Sequence, residues 1–195
     1  YDRRMIQGLK ILGWQIQLIS LGEGYPFPSL DQVEQAKEQL LSLTAGIPMV
    51  VDGLALGALP SLAALLAERH PLIALVHHPL AFESGLTDAQ IGQLKQSETE
   101  SLRHVSKLIA NSLATARDVT LHYGVPPDRI DVVLPGTDRI PHIESLTQSR
   151  KSTSHEVRLL SVGSIIPRKG FSDLIAALAP LADLPWTLSI AGDTA

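Results

Sequence analysis

The side chains best suited to chemistry lie in two places, Arg168-Lys169 and His77-His78. The first pair belongs to Leu160-Ser-Val-Gly-Ser-Ile-Ile-Pro-Arg-Lys-Gly170, where an apolar strand pattern ends at Gly163 and Gly170 precedes a helical pattern. Two adjacent cations can grip a diphosphate, arginine through its planar fork and lysine as a point charge. A helix N-terminus adds partial positive charge beside them. Arg-Lys-Gly alone would equally describe a solvated basic turn. Its place after the first strand of an α/β unit favours binding, because ligands of open parallel sheets sit beyond the carboxyl ends of the strands.

His77-His78-Pro79-Leu80 follows the apolar run Leu72–Val76. Neighbouring side chains on an extended segment point to opposite sides, so the two imidazoles do not form a metal pair. For His78 a structural histidine bonded to backbone is as good a reading as a site. The carboxylates are scattered: Asp52, Asp88 and Asp131 read as isolated, and Glu98 and Glu100 as the solvated face of a polar helix. Asp2-Arg3-Arg4 opens a helix, with the arginines read as surface cations. Asp138 closes a turn and reads as a hinge stabiliser, and Ser112 as a helix cap. No Asp-x-Asp motif and no serine-histidine-acid arrangement is present, and no Gly-x-Gly-x-x-Gly follows a strand, which argues against a dinucleotide oxidoreductase. With no cysteine in 195 residues, thiolate catalysis and disulfides are excluded.

The elements that must position these residues alternate steadily. Met5, Ile6, Leu9 and Leu12 have helical spacing, with Gly13 as the stop. Gln15–Leu21 alternates like a strand and leads into a Gly/Pro loop. Ser29 and Asp31 can cap a helix running to about Leu43. Then follow a strand at Ile47–Val51, a helix at Leu59–Ala67, a strand at Leu72–Val76 and a polar helix at Ala89–His104. A strand at Lys107–Ala110, a helix from Leu113 to Tyr123 stopped by Gly124, and a strand at Ile130–Leu134 complete the block. Short, wholly apolar strands alternating with helices predict a parallel sheet buried on both faces, a Rossmann-like layer with right-handed crossovers.

Between Arg139 and Glu156 the sequence turns polar and rich in serine and threonine, as a linker would. The pattern then restarts with strand Val157–Val162, helix Phe171–Ala182 and strand Trp186–Ala191. The chain begins at Tyr1 and stops at Ala195 just after an apolar run, so both ends read as cuts through a longer protein. The expected domains are 1–138, a linker at 139–156, and 157–195 as the start of a second domain. A formal net charge of -4 argues against a general nucleic-acid surface, which is normally basic. The longest apolar stretch, Leu54–Ala67, is interrupted by Gly57, Pro60 and Ser61 and falls short of the roughly 20 residues of a membrane span.

Taken in order, these segments resemble the family 4 glycosyltransferases of the GT-B fold. The Gly163 to Arg168-Lys169-Gly170 stretch is similar to that family's signature after the first strand of its C-terminal domain. Ile109-Ala-Asn-Ser112 with Thr115, Tyr123-Gly-Val125 through Leu134-Pro-Gly-Thr-Asp138, and Leu188-Ser-Ile-Ala-Gly-Asp193 resemble further segments, and Leu134 and Thr137 vary the interdomain turn. The resemblance implies two Rossmann-like domains with parallel sheets, the second only partly present. It implies transfer of a sugar from a nucleotide-diphosphate sugar to an acceptor, with retention at the anomeric carbon and without a metal. No cofactor is implied beyond the donor, which is a substrate.

By the same resemblance Gly163, Arg168 and Lys169 bind the donor, and Arg168 and Lys169 stabilise the leaving diphosphate. His77 matches a histidine that lies near the transferred sugar in the interdomain cleft. The family's N-terminal glycine loop would lie before Tyr1 and its pair of glutamates beyond Ala195, so the 195 residues alone are expected to be inactive. A glycan, a lipid and a small molecule all remain open as acceptor. The implied location is cytoplasmic, peripheral to a membrane if the acceptor is a lipid. Two other readings stay open: a GT-B nucleotide-sugar epimerase and a non-catalytic α/β binding module.

Overall fold

The computed structural model describes residues 1–137 and 156–193. Asp138 and nearly all of the expected linker at 139–156 lie outside the described residues. The chain divides into two compact units, Tyr1–Gly136 and Thr137–Ala195.

The first unit opens with α1 (Asp2–Ile11), which ends as the sequence predicts. Gly13 takes φ 90°, and the Gly13 and Trp14 N–H groups reach back to Lys10 and Leu9 O, the paired bonds of a Schellman stop. α2 (Leu30–Leu41) starts at a capping box in which Ser29 and Gln32 each accept the other's backbone N–H. β1 (Met49–Asp52) runs straight into the short α3 (Gly53–Leu56), capped by the Asp52 side chain. α4 (Pro60–Ala67) follows, with proline in its first turn, where the missing N–H costs nothing. Then come β2 (Leu72–Val76), a single 3₁₀ turn at Leu80–Phe82, and α5 (Asp88–Arg103) behind a second capping box, Thr87 with Gln90. β3 (Lys107–Ala110), α6 (Leu113–Tyr123) and β4 (Ile130–Val132) complete the unit.

The strands pair in parallel in the order β1-β2-β3-β4, with Val51 opposite Ala74 and Val76 opposite Ala110. The core joins Leu72, Ala74 and Val76 of β2 and Leu108 and Ala110 of β3 to Leu62 and Leu66 of α4 and Val119 of α6. Burying each such leucine stabilises the fold by about 2 kcal/mol. Burial on both faces holds for β2 only: Val50 on β1 is half exposed, because β1 and β4 are the outer strands among the described residues.

Two expectations change here. Residues 15–21 form no strand. Their backbone pairs with no described strand, and an alternating pattern makes a strand only where a ladder partner lies alongside. Ile19 and Leu21 instead pack against the core as an irregular segment. Glu98 is not on a solvated face: it is 1% exposed, and α5 buries Leu94, Glu98, Ser101 and Leu102 together.

The second unit pairs β5 (Val157–Val162) with β6 (Trp186–Ala191), again parallel. Between them lie a 3₁₀ turn at Pro167–Lys169, α7 (Phe171–Leu178) and a 3₁₀ turn at Ala179–Leu181. The predicted helix to Ala182 is shortened because Pro180 supplies no N–H to continue the α-helical ladder.

Candidate functional site

In the first unit three neighbouring strands deliver polar side chains at the same end of the sheet. Asp52 is the last residue of β1, His77 follows β2 and Asn111 follows β3. The parallel register sets Asp52 opposite Leu75 and Val76 opposite Ala110, so all three project from the carboxyl edge where α/β sheets bind ligands. α1 adds Asp2. His77 Nε2 lies 3.0 Å from Asp2 Oδ1 and 3.5 Å from Asp52 Oδ2. The Tyr1 ring meets the imidazole edge-on at 5.3 Å, and the Tyr1 hydroxyl donates to Val133 O at 2.7 Å.

The other side of the ring is also engaged. His77 Nδ1 lies 3.4 Å from Asn111 Nδ2. Asn111 Oδ1 accepts from the Thr115 hydroxyl at 3.2 Å, which also reaches His77 O at 3.3 Å. Thr115 stands in the first turn of α6, where Ser112 Oγ accepts its N–H at 3.0 Å. Asp52 is fixed by the Leu54 N–H, donated to Oδ1 at 2.8 Å. Gly53 carries no Cβ, which would stand 3.1 Å from Leu75 O, and this lets the chain turn from β1 into α3 against β2.

Asp52 is therefore not isolated, as its sequence context indicates, but one of three groups converging on a point. The ligand atoms of Asp2, Asp52 and His77 lie within 4.8 Å of one another, a spacing that could hold a divalent cation if Nε2 gave up its proton. His78, by contrast, is exposed and turns away, its ring meeting Phe82 at 6.3 Å.

Beneath this edge, Glu98 Oε2 accepts the Leu80 N–H at 2.9 Å and so anchors the loop that carries His77 and His78. Burial pushes the Glu98 carboxyl up to about 7, with the nearby Tyr123 hydroxyl and the Leu80 N–H pulling it back. Burial, and then the Glu98 charge, push the Tyr123 hydroxyl far above its usual range. Neither Glu98 Oε1 nor the Tyr123 hydroxyl makes a hydrogen bond of good geometry. Gly57 makes the packing possible: a Cβ there would stand 2.7 Å from Leu80 Cδ1 and 3.2 Å from Glu98 Cγ.

In the second unit Gly163, Arg168 and Lys169 occupy one loop. Gly163 N donates to Ala191 O and Ile165 N to Asp193 O, so the loop continues the β5–β6 pairing past both strands. Pro167–Lys169 then make a 3₁₀ turn, and Gly170 at φ 65° leads into α7. That left-handed backbone strains any residue with a Cβ. The Lys169 stem lies within 4 Å of where a Gly163 Cβ would stand, and Arg168 and Lys169 are both exposed. Gly192 faces Gly163 so closely that a Cβ would come within 1.8 Å of Gly163 O.

Sequence reasoning missed Asp2, Asp52, Asn111, Glu98 and Gly192 as members of these sites. Asp52 and Asn111 were findable, since each ends a strand neighbouring the one before His77. Glu98 sits midway between Leu94 and Leu102 on one helical face. The Asp2–His77 contact spans most of the unit and leaves no local signal.

Residues 50–139 match the family model described as Glycosyltransferase Family 4. No curated protein matches the chain. The matched span holds Asp52, His77, Glu98, Asn111 and Thr115.

Proposed function

We propose that the protein, whose residues 50–139 match the Glycosyltransferase Family 4 model, transfers a sugar from a nucleotide-diphosphate sugar to an acceptor, with retention at the anomeric carbon. The supporting observation is that Asp52, His77 and Asn111 gather at one edge of three parallel strands inside the matched span.

In this reading Arg168 and Lys169 hold the donor diphosphate on the loop after β5. Their fixed positive charge meets the negative charge that grows as the nucleotide leaves, a contribution that is often the largest in such steps. Two cations supply what a metal would, so the transfer is read as metal-independent. Gly163 puts no side chain of its own beside the Lys169 stem. In the first unit the imidazole of His77 meets a hydroxyl of the bound sugar. The acceptor class, whether glycan, lipid or small molecule, is left to experiment.

The test is a nucleotide-release screen of the protein with UDP-, GDP- and ADP-sugars, with and without candidate acceptors, using the Arg168→Ala/Lys169→Ala double variant as control. Acceptor-dependent release that disappears in the control is the expected result and names the donor. Release without any acceptor would move the reading to an epimerase. A folded protein that binds no nucleotide sugar would sink it altogether.

A further inference from the structure

The contacts around His77 specify where its proton sits. Nε2 faces two carboxylates, Asp2 Oδ1 at 3.0 Å and Asp52 Oδ2 at 3.5 Å. An unprotonated Nε2 lone pair this close to two anionic oxygens would be repelled, so Nε2 is read as carrying a hydrogen. Nδ1 faces Asn111 Nδ2 at 3.4 Å, and an amide NH₂ only donates, so Nδ1 must accept. The amide is oriented with Nδ2 toward the ring and Oδ1 toward the Thr115 hydroxyl, which His77 O and Ser112 Oγ also approach. Thr115 is in turn placed by the first turn of α6 through Ser112.

We propose that Asn111 and Asp52 are positioning residues that fix His77 as the Nε2–H tautomer, so that His77 meets its ligand as a hydrogen-bond donor and not as a base. The choice of tautomer stands on the geometry alone; only the identification of the ligand as a sugar rests on the function proposed above. A ring nitrogen is distinguished by what its other nitrogen is bonded to, and here the partner is an amide NH₂ just beyond the neighbouring strand β3. Asp52 cannot drift, because the start of α3 holds its other oxygen. Asp2 Oδ1, though 3.0 Å from Nε2, makes no hydrogen bond of good geometry, so a bound hydroxyl can accept the Nε2 proton. A donor of this kind fits an electronegative sugar oxygen. It gives no route for removing a proton from the acceptor, and that task is left to another group.

Nitrogen-15 spectra of the histidine side chains tests this on the full chain, with His77 assigned by the signal missing in His77→Gln. At mildly alkaline pH we expect a protonated-type Nε2 and an unprotonated-type Nδ1. Asn111→Asp replaces the NH₂ by an acceptor and should move Nδ1 to the protonated type, while circular dichroism shows the fold retained. An Nδ1-protonated ring in the parent protein, or a pattern unchanged by Asn111→Asp, would overturn the assignment. So would a shift of Nε2 to a metal-bound position on adding zinc that is abolished by Asp52→Asn. With turnover, His77→Gln, which can still donate, should lose less than His77→Ala. Equal losses of roughly 100-fold or more, the range for a removed general base, would also refute the donor role. If the parent transfers no sugar at all, the function proposed above fails while the spectra still decide the tautomer.

Discussion

Replacing Glu98 by glutamine should stabilise the first unit, and by an amount that depends on pH. The carboxyl is 1% exposed and is pushed from 4.5 to about 7, and each tenfold change in proton affinity is worth about 1.4 kcal/mol. Below about pH 4.5 folded and unfolded chains both carry the proton, and burial costs nothing extra. Between about 4.5 and 7 the folded protein holds a proton that the unfolded chain has released, so stability falls as pH rises. Above 7 the buried group is ionised and the full cost, about 3 kcal/mol, is present. Glutamine keeps an oxygen for the Leu80 N–H and introduces no charge. The variant and the parent should therefore be similar near pH 4.5 and differ by about 3 kcal/mol at pH 8, the variant being the more stable. Urea unfolding followed by far-ultraviolet circular dichroism across that range reads the difference, since α5 and α6 both belong to this unit. A difference that stays flat with pH, or a glutamine variant less stable at pH 8, would refute the reasoning.

Other perturbations test the remaining features. Gly192→Ala places a Cβ 1.8 Å from Gly163 O, so it should part the ends of β5 and β6 and cost more than the about 1–3 kcal/mol of ordinary overpacking, read as a lowered unfolding midpoint of the second unit. Ser29→Ala removes the acceptor of the capping box on α2 and should cost about 1 kcal/mol, measured by thermal unfolding. Arg168→Ala should leave the unfolding midpoint within error, since the side chain is exposed, and lower turnover by roughly 100- to 1000-fold. Unchanged turnover would remove Arg168 from the proposed donor site.

Most of the framework was legible because its signals are local. The spans predicted for β2, β3, α6, β5 and β6 coincide with the observed ones. These strands are short apolar runs bounded by polar residues, glycine or proline, and α6 carries its own start at Ser112 and stop at Gly124. The expectation at 15–21 failed because a strand is a property of two segments, and alternation within one says nothing of a partner. The candidate site was half legible. His77 stood out by residue type, but Asp52 and Asn111 gain meaning only once the sheet register aligns the strand ends. Glu98 was misread because most of the positions around it on α5 are polar, and the face it shares with Leu94 and Leu102 was not weighed against them.

Thr115 serves two structures at once. It belongs to the first turn of α6, and its hydroxyl holds Asn111 and the backbone of His77. First turns are where helices open most readily, so the orientation of the imidazole persists only as long as that turn stays closed. Warming that frays the start of α6 while leaving Val119 and Tyr123 packed would release His77 from its partner, and under the proposed function binding would fade before the fold does. The endurance of the site is thus set by a few residues at a helix tip and not by the depth of the core beneath it.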